Sequence, residues 1–352
     1  GEYTTEFLVS RGEYFTARLM AEYLGLPFID AADMVAFHHD GTLSMSRTGK
    51  LVKANAREGG FVMPGFYGAT KEGKVKLLDR GGGDISGSIL AQCLEADLYE
   101  NWTDVSGFLS ADPRIVEGAQ PIPRITYEEL RELSYMGASV LHEEAVFPVR
   151  DAGIPLVIKN TNAPEDPGTI ISETAKEGDS EPIITGIAGK RGFIAISVSR
   201  DRTKSRIGFM RRALSVFERY GVSVEHMPTG VDQFAAVVQA ADVKDSLYSL
   251  ISDIQEEVEP LEIEVVENLA LIATVGRNLR GRPGVSGHLF GKLGEAGVSV
   301  RMITQGCDEI NIICGVEEKD FDLAIATIYN AFSEKDGSIV KTVDLVPTPQ
   351  PF

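Results

Sequence analysis

Lys74-Val75-Lys76-Leu77-Leu78-Asp79-Arg80-Gly81-Gly82-Gly83-Asp84-Ile85-Ser86-Gly87-Ser88-Ile89-Leu90 is the stretch on which the reading of this chain turns. It predicts a short strand, then three glycines bracketed by Arg80 and Asp84, then a helix opening at Ile85. Glycines at such a junction let the backbone bend tightly and bring N–H groups close to a ligand. The helix start adds unpaired N–H donors and a partial positive charge, which suits an anion. Arg80 can fork onto a carboxylate or phosphate, and Asp84 can hold an ammonium group. The pair fits a site for an amino acid beside a phosphoryl donor. The alternative is an ordinary glycine turn with two solvated charges.

Working outward, the 352 residues exceed one ordinary core and call for two or three domains. A net charge of −18 repels phosphate backbones, which argues against nucleic acid and anionic membrane as partners. Any bound nucleotide must then be held by local basic residues and backbone donors. The three cysteines, Cys93, Cys307 and Cys314, are spaced for neither a metal nor a disulfide framework, so a reducing, cytoplasmic setting is expected. No apolar run reaches membrane-spanning length, and the start shows no basic-then-apolar signal. The chain opens Gly1-Glu2-Tyr3 without a methionine, which leaves room for upstream residues.

Apolar side chains from Phe7 to Leu24 recur at helical spacing and stop at Gly25. Within that helix Glu13 is either a solvated residue or a carboxylate aimed into a cleft. Leu26–Val35 reads as strand and turn, His38-His39-Asp40-Gly41 as surface loop, and Ser44–Glu58 as a connection or short helix. Phe61–Gly68 reads as a buried strand entering a glycine-bounded loop, where Phe66 could pack on a ligand or sit in a plain turn. After the helix from Ile85, Asp97–Asn101 is a strand that runs into Trp102-Thr103-Asp104. Ligands of open α/β sheets sit beyond the carboxyl ends of strands, which places Thr103 and Asp104 well. Arg114, in the turn Asp112-Pro113-Arg114, could reach phosphate or form a surface ion pair. Thr126 and Glu129 form a capping box, Met136–Glu144 reads as a second helical stretch, and Pro155–Ile158 as a strand. Such alternation argues for a mostly parallel sheet with helices on both faces.

Past an acidic linker at 173–181 the pattern changes to a repeat. Gly208, Gly221, Gly230 and Asp232 recur as Gly284, Gly297, Gly306 and Asp308, each displaced by 76 positions. That is the mark of a duplicated module. Each copy reads strand, helix, strand, strand, helix, strand, the ferredoxin-like order. The strands expected in the first are 193–199, 222–227, 234–239 and 261–266, and in the second 270–275, 298–303, 310–316 and 339–346. Small sheets of this kind have exposed edges, so pairing between copies or chains is expected. The glycine before each first helix leaves room for a small ligand against backbone N–H groups. Phe209, Met210, Glu225 and Thr229 surround the first such corner, although Phe209 and Met210 also suit a core.

Arg80-Gly-Gly-Gly-Asp84, Trp102-Thr-Asp-Val-Ser-Gly107 with Ala111-Asp-Pro-Arg114, and Met136-Gly-Ala-Ser-Val-Leu-His142, followed by the repeat, together resemble the aspartate kinase family. That family belongs to the amino-acid kinase superfamily and carries two C-terminal ACT domains. The resemblance implies an α/β kinase domain over 1–175, a first ACT domain over 176–267 and a second over 268–352. It implies ATP with Mg2+, L-aspartate as substrate, phosphorylation of its β-carboxylate, and no protein metal ligand. Glu13, Phe66, Arg80, Gly83 and Asp84 fall at substrate positions. Thr103, Asp104, Leu109, Arg114, Ser139 and Val140 fall at ATP positions. An effector amino acid, lysine or threonine, is implied at Gly208, Phe209, Met210, Glu225 and Thr229, in a homodimer or higher oligomer joined through the ACT domains.

Three departures stand out. The family's opening Lys-Phe-Gly-Gly-Thr/Ser stretch has no counterpart here, serine is usual at Gly83, and lysine is common at Ser139. A phosphate-gripping lysine matters to a reaction run by charge neutralisation, so an N-terminally truncated kinase is expected. The alternatives are a non-catalytic, amino-acid-sensing regulatory subunit, and a kinase for glutamate or acetylglutamate.

Overall fold

The computed structural model describes residues 4–78, 81–138, 140–141, 143–174, 182–201, 203, 205 and 207–333. The chain divides into two compact units. One comprises Gly1–Phe108, Pro121–Ser134 and Ser139–Glu177, and the other Leu109–Gln120, Tyr135–Ala138 and Gly178–Phe352.

The first unit opens with helix α1 (Thr5–Leu24). Thr4 caps it by accepting from the Phe7 N–H, and Gly25 ends it in the left-handed conformation, as its spacing predicts. Small residues, Ser10, Ala17 and Ala21, form its buried seam, while Phe15, Leu19 and Tyr23 stay exposed. The strand expected within Leu26–Val35 does not form. Asp30 instead caps a single 3-10 turn, Ala31–Asp33, by accepting from the Ala32 N–H at 3.0 Å. Helix α2 (Met45–Asn55) follows.

The buried strand expected over Phe61–Gly68 is confined to β1 (Tyr67–Ala69), paired antiparallel with β2 (Val75–Leu77). Pro64 lacks a ladder donor and Phe66 is left-handed (φ 60°), so the ladder cannot extend back through them. Helix α3 (Gly82–Leu94) starts three residues before Ile85, because Gly81 takes the left-handed cap position at φ 74°. Strand β3 (Tyr99–Thr103) runs two residues beyond the predicted Asn101.

Strand β4 (Arg124–Thr126) leads into α4 (Tyr127–Tyr135). The Thr126 N–H donates to the Glu129 carboxylate at 2.9 Å and the Glu129 N–H to Thr126 Oγ1 at 3.2 Å, the capping box read from sequence. Helix does not continue through Met136–Glu144. Gly137 turns to φ 105°, and among the described residues a 3-10 turn, Glu143–Val146, precedes α5 (Phe147–Asp151). Strands β5 (Leu156–Asn160) and β6 (Thr169–Ser172) complete a sheet of order β3-β5-β6-β4. Its β3–β5 and β4–β6 pairings are parallel and its β5–β6 pairing antiparallel.

The second unit is built on β7 (Gly186–Ser199), α6 (Phe209–Arg219), β8 (Gln233–Gln239), α7 (Ala240–Val243), α8 (Leu247–Val258) and β9 (Glu262–Val275). It continues through α9 (Val285–Glu295), β10 (Val300–Thr304), β11 (Asn311–Glu317) and α10 (Phe321–Ser333). The five strands form one antiparallel sheet, ordered β10-β11-β9-β7-β8.

Two corrections follow. The strand expected at Val222–Met227 is reduced to a single bridge from His226 to Val237. The strands expected at 261–266 and 270–275 are one continuous β9, so the division expected between 267 and 268 falls inside a strand. Strand β7 likewise serves both copies. Its Phe193–Ser199 half pairs with β8, while Gly186–Lys190 pairs with Leu271–Val275 of β9. Residues 186–190 thus flank the first strand of the second copy, opposite β11. The closing strand expected at Ile339–Val346 lies outside the described residues.

Two cores line the sheet, one with Ile196, Phe209, Phe217 and Phe234, the other with Ile272, Leu289, Ile312 and Phe321. Ala111 and Val116 enter the second core, and the Ile187 N–H donates to the Ser110 carbonyl at 2.8 Å. Among the described residues no helix is long and apolar enough to cross a membrane.

Candidate functional site

A cavity of about 580 Å³ opens in the first unit where α1 meets the glycine loop. Glu13 of α1, Gly65 and Phe66, Gly81–Gly83, and Ser86 line it. The two loops are zipped together. The Leu78 N–H donates to the Phe66 carbonyl at 2.8 Å, and the Phe66 N–H to Ser86 Oγ at 2.9 Å. Ser86 Oγ in turn donates to the Gly82 carbonyl at 2.8 Å. A Cβ on Gly82 would stand 2.6 Å from the Phe66 Cβ, and one on Gly65 3.1 Å from the Gly83 Cα. Only glycine allows that approach.

The cavity therefore joins the Glu13 carboxylate with the N-terminal backbone of α3, where N–H donors and the helix dipole favour negative charge. A small zwitterion satisfies both.

Of the predicted substrate residues, Glu13, Phe66 and Gly83 share this cavity. Arg80 lies outside the described residues. Asp84 sits in the first turn of α3 but does not line the cavity; its Oδ1 accepts from Asn101 Nδ2 at 2.8 Å.

Thr103 and Asp104 stand at the carboxyl end of β3. The Thr103 carbonyl accepts from Thr161 N–H and hydroxyl, at 2.8 and 2.9 Å, and its own hydroxyl donates to Asp104 Oδ1 at 3.3 Å. Asp104 is exposed and Val140 half-buried. Ser139 lies outside the described residues. Leu109 and Arg114 belong to the segment assigned to the second unit. Arg114 is exposed and forks onto Asp112 through Nε at 3.0 Å and Nη2 at 2.7 Å, which holds the Asp112 carboxyl below its usual range.

In the second unit Gly208, Phe209 and Met210 line a cavity of about 300 Å³ together with Arg200 and Asp232, which form an ion pair. Glu225 and Thr229 do not line it. Glu225 accepts a hydrogen bond from the Tyr135 hydroxyl, and burial, with Asp242 nearby, pushes its carboxyl up. Thr229 is bridged to Phe234. The same corner recurs in the second copy as a cavity of about 410 Å³ at Gly284, Val285 and Ser286, with Gln305 and Glu309.

Sequence reasoning missed Ser86, Asn101 and Arg200. Period-two alternation along β3 places Tyr99, Asn101 and Thr103 on one face and was the available signal for Asn101. For Ser86 the signal was its place one turn into the glycine-started helix.

The profile of the amino acid kinase family matches residues 2–160, and that of an ACT domain residues 272–332. Aspartokinase 3 of Bacillus subtilis is 40% identical over 283 residues, 80% of this chain and 62% of its own length. The crystal structure of Clostridium acetobutylicum aspartate kinase is 47% identical and superposes at a TM-score of 0.90, covering 94% of this chain and 76% of that one. Escherichia coli aspartokinase III in complex with aspartate and ADP superposes at 0.72 with 25% identity, covering 93% of this chain and 75% of that one. The same E. coli enzyme in complex with lysine and aspartate superposes at 0.75 with 26% identity, covering 94% and 76%. The chain spans 61–64% of the length of the first four curated relatives it matches.

Proposed function

This chain belongs to the aspartate kinase family, and from that premise we propose that it transfers the γ-phosphoryl group of ATP to the β-carboxylate of L-aspartate, giving 4-phospho-L-aspartate. The observation that carries this reading is the cavity joining Glu13, Phe66 and the Gly81–Gly83 start of α3. A relative captured with aspartate and ADP supports both substrates.

In this reading Glu13 meets the substrate ammonium group and Arg80 its α-carboxylate. Phe66 closes over the carbon chain, Gly83 admits it to the helix start, and Asp84 completes the cationic subsite. Thr103, Asp104, Leu109, Arg114, Ser139 and Val140 bind the nucleotide. A β-carboxylate is ionised at neutral pH, so no general base is needed. One of its oxygens bonds to the γ-phosphorus while the bond to the β,γ-bridging oxygen breaks, and ADP leaves with that electron pair. The protein contributes position and charge neutralisation. Mg2+ would be carried mainly by the phosphates, which suits its reluctance to shed water, and would neutralise part of their charge.

The duplicated C-terminal modules bind an effector amino acid, lysine or threonine, at the Gly208–Met210 corner. A relative holding lysine together with aspartate supports such control. The strand β10 edge and the segment 222–227 at the other margin of the sheet suit pairing with a second chain, giving a homodimer or higher oligomer in the cytoplasm.

An ADP-release assay with L-aspartate, L-glutamate and N-acetylglutamate as acceptors tests the reading. Turnover on aspartate alone is expected. Preference for glutamate or acetylglutamate overturns the substrate assignment. Binding of lysine or threonine by a chain that turns over none, with or without upstream sequence, makes it a sensing subunit.

A further inference from the structure

We propose that Asn101 is a positioning residue for Asp84, through which strand β3 ties the amino-acid loop to the nucleotide turn; this rests on the aspartate kinase reading above. Strand β3 presents Tyr99, Asn101 and Thr103 on one face. Asn101 is buried, and its Nδ2 donates to Asp84 Oδ1 at 2.8 Å and to the Tyr99 hydroxyl at 3.2 Å. That hydroxyl donates in turn to the Asp84 carbonyl at 3.1 Å. Both ends of residue 84, backbone and carboxylate, are thus held from one strand.

Gly87 makes the approach possible, since a Cβ there would lie 2.6 Å from the Tyr99 hydroxyl oxygen. A buried primary amide is costly unless its donors are used. Here one goes to Asp84 on the helix that carries the glycine loop and the other to the Tyr99 hydroxyl, which itself donates to the Asp84 carbonyl. Fixing one oxygen of a planar carboxylate also fixes where the other faces. The next residue on that face is Thr103, beside Asp104 at the mouth of the strand, so a shift of β3 moves the nucleotide turn and the Asp84 carboxylate together.

The test uses the full chain, with calorimetric L-aspartate binding and steady-state kinetics on Asn101→Leu, Asp84→Asn and the double variant. Leucine keeps the branched shape and removes the donor; Asn101→Ser is the second variant should leucine fail to fold. Loss of one charge-assisted hydrogen bond weakens aspartate binding by roughly ten-fold. KM for aspartate rises by a similar factor, and KM for ATP moves less than about two-fold. In the Asp84→Asn background the same replacement adds less than about two-fold, because its route is already cut. Aspartate binding unchanged in both Asn101 variants, or losses that simply multiply in the double variant, overturns the role of Asn101. A folded parent chain that binds no aspartate overturns the substrate reading itself, and this role with it.

Discussion

The Phe66 amide donates to Ser86 Oγ at 2.9 Å, which pins a residue in the left-handed backbone region (φ 60°) to the first turn of α3. A bulky residue held at that φ pays a steric cost that the surrounding bonds must offset. Ser86→Ala removes the acceptor and leaves a half-buried amide unpaired, at a cost of about 1–3 kcal/mol. Thermal denaturation reads it as a Tm several degrees below the parent's, and the loosened Phe66 ring raises KM for aspartate. An unchanged Tm with unchanged KM would mean that Leu78 alone holds the loop.

The neighbouring glycines separate two kinds of tolerance. A Cβ on Gly82 meets the Phe66 Cβ at 2.6 Å and its Cα at 3.0 Å, whereas one on Gly83 meets nothing within 4 Å. Gly82→Ala forces the two loops apart and costs about 1–3 kcal/mol as overpacking against backbone. Gly83→Ser keeps the parent's stability within about 0.5 kcal/mol, as surface changes do. It also sets a hydroxyl in the cavity, where tighter aspartate binding is expected by calorimetry.

The regions legible in the sequence were those where one local signal ruled. The Gly25 stop, the Thr126–Glu129 capping box and the 76-residue repeat each state a backbone requirement within a few positions. Phe61–Phe66 was misread because Pro64 and the left-handed Phe66 override an apolar run, and no periodicity announces a left-handed phenylalanine. Met136–Glu144 was misread because Gly137, not its apolar neighbours, decides where α4 ends. Strand β7 could not be divided correctly, since only long-range pairing assigns 186–190 to the second copy and 193–199 to the first. Glu13 and Gly83 were found through family resemblance. Asn101 needed the register of β3 against α3.

Glu225 provides a prediction with a sign. Burial and the Asp242 charge disfavour its ionised form, raising its folded pKa above the unfolded value. Such an acid binds more protons folded than unfolded, so stability falls as pH rises from the ordinary carboxylate range through the raised value. Glu225→Gln keeps an oxygen for the Tyr135 hydroxyl and removes the titration. Its Tm should match or exceed the parent's at pH 7, and the difference should shrink towards pH 4. A variant less stable at pH 7 by a margin that persists at pH 4 would assign the cost to geometry instead.

Gly189 tests the placement of 186–190 against the second copy. A Cβ there would lie 2.7 Å from the Phe321 ring and 2.8 Å from the Leu271 carbonyl oxygen. The ring can turn, but the carbonyl belongs to a central strand and cannot. Gly189→Ala should lower stability by about 1–3 kcal/mol in urea denaturation, and Gly287→Ala, whose Cβ meets nothing within 4 Å, serves as the contrast for crowding.

Two corners of matched construction compete for the effector, and a steric plug distinguishes them. Met210 lines the first cavity and Ser286, 76 positions later, the second. Ligand present at about 100 times its Kd stabilises the folded chain by about 2.7 kcal/mol, a shift that Tm against lysine, threonine and methionine will report. The first corner pairs Arg200 with Asp232 at its wall, opposite charges suited to the two ends of an amino acid. Met210→Trp should therefore erase the shift, and Ser286→Trp should leave it. The reverse pattern would move the effector to the second corner, where Gln305 and Glu309 supply the polar wall.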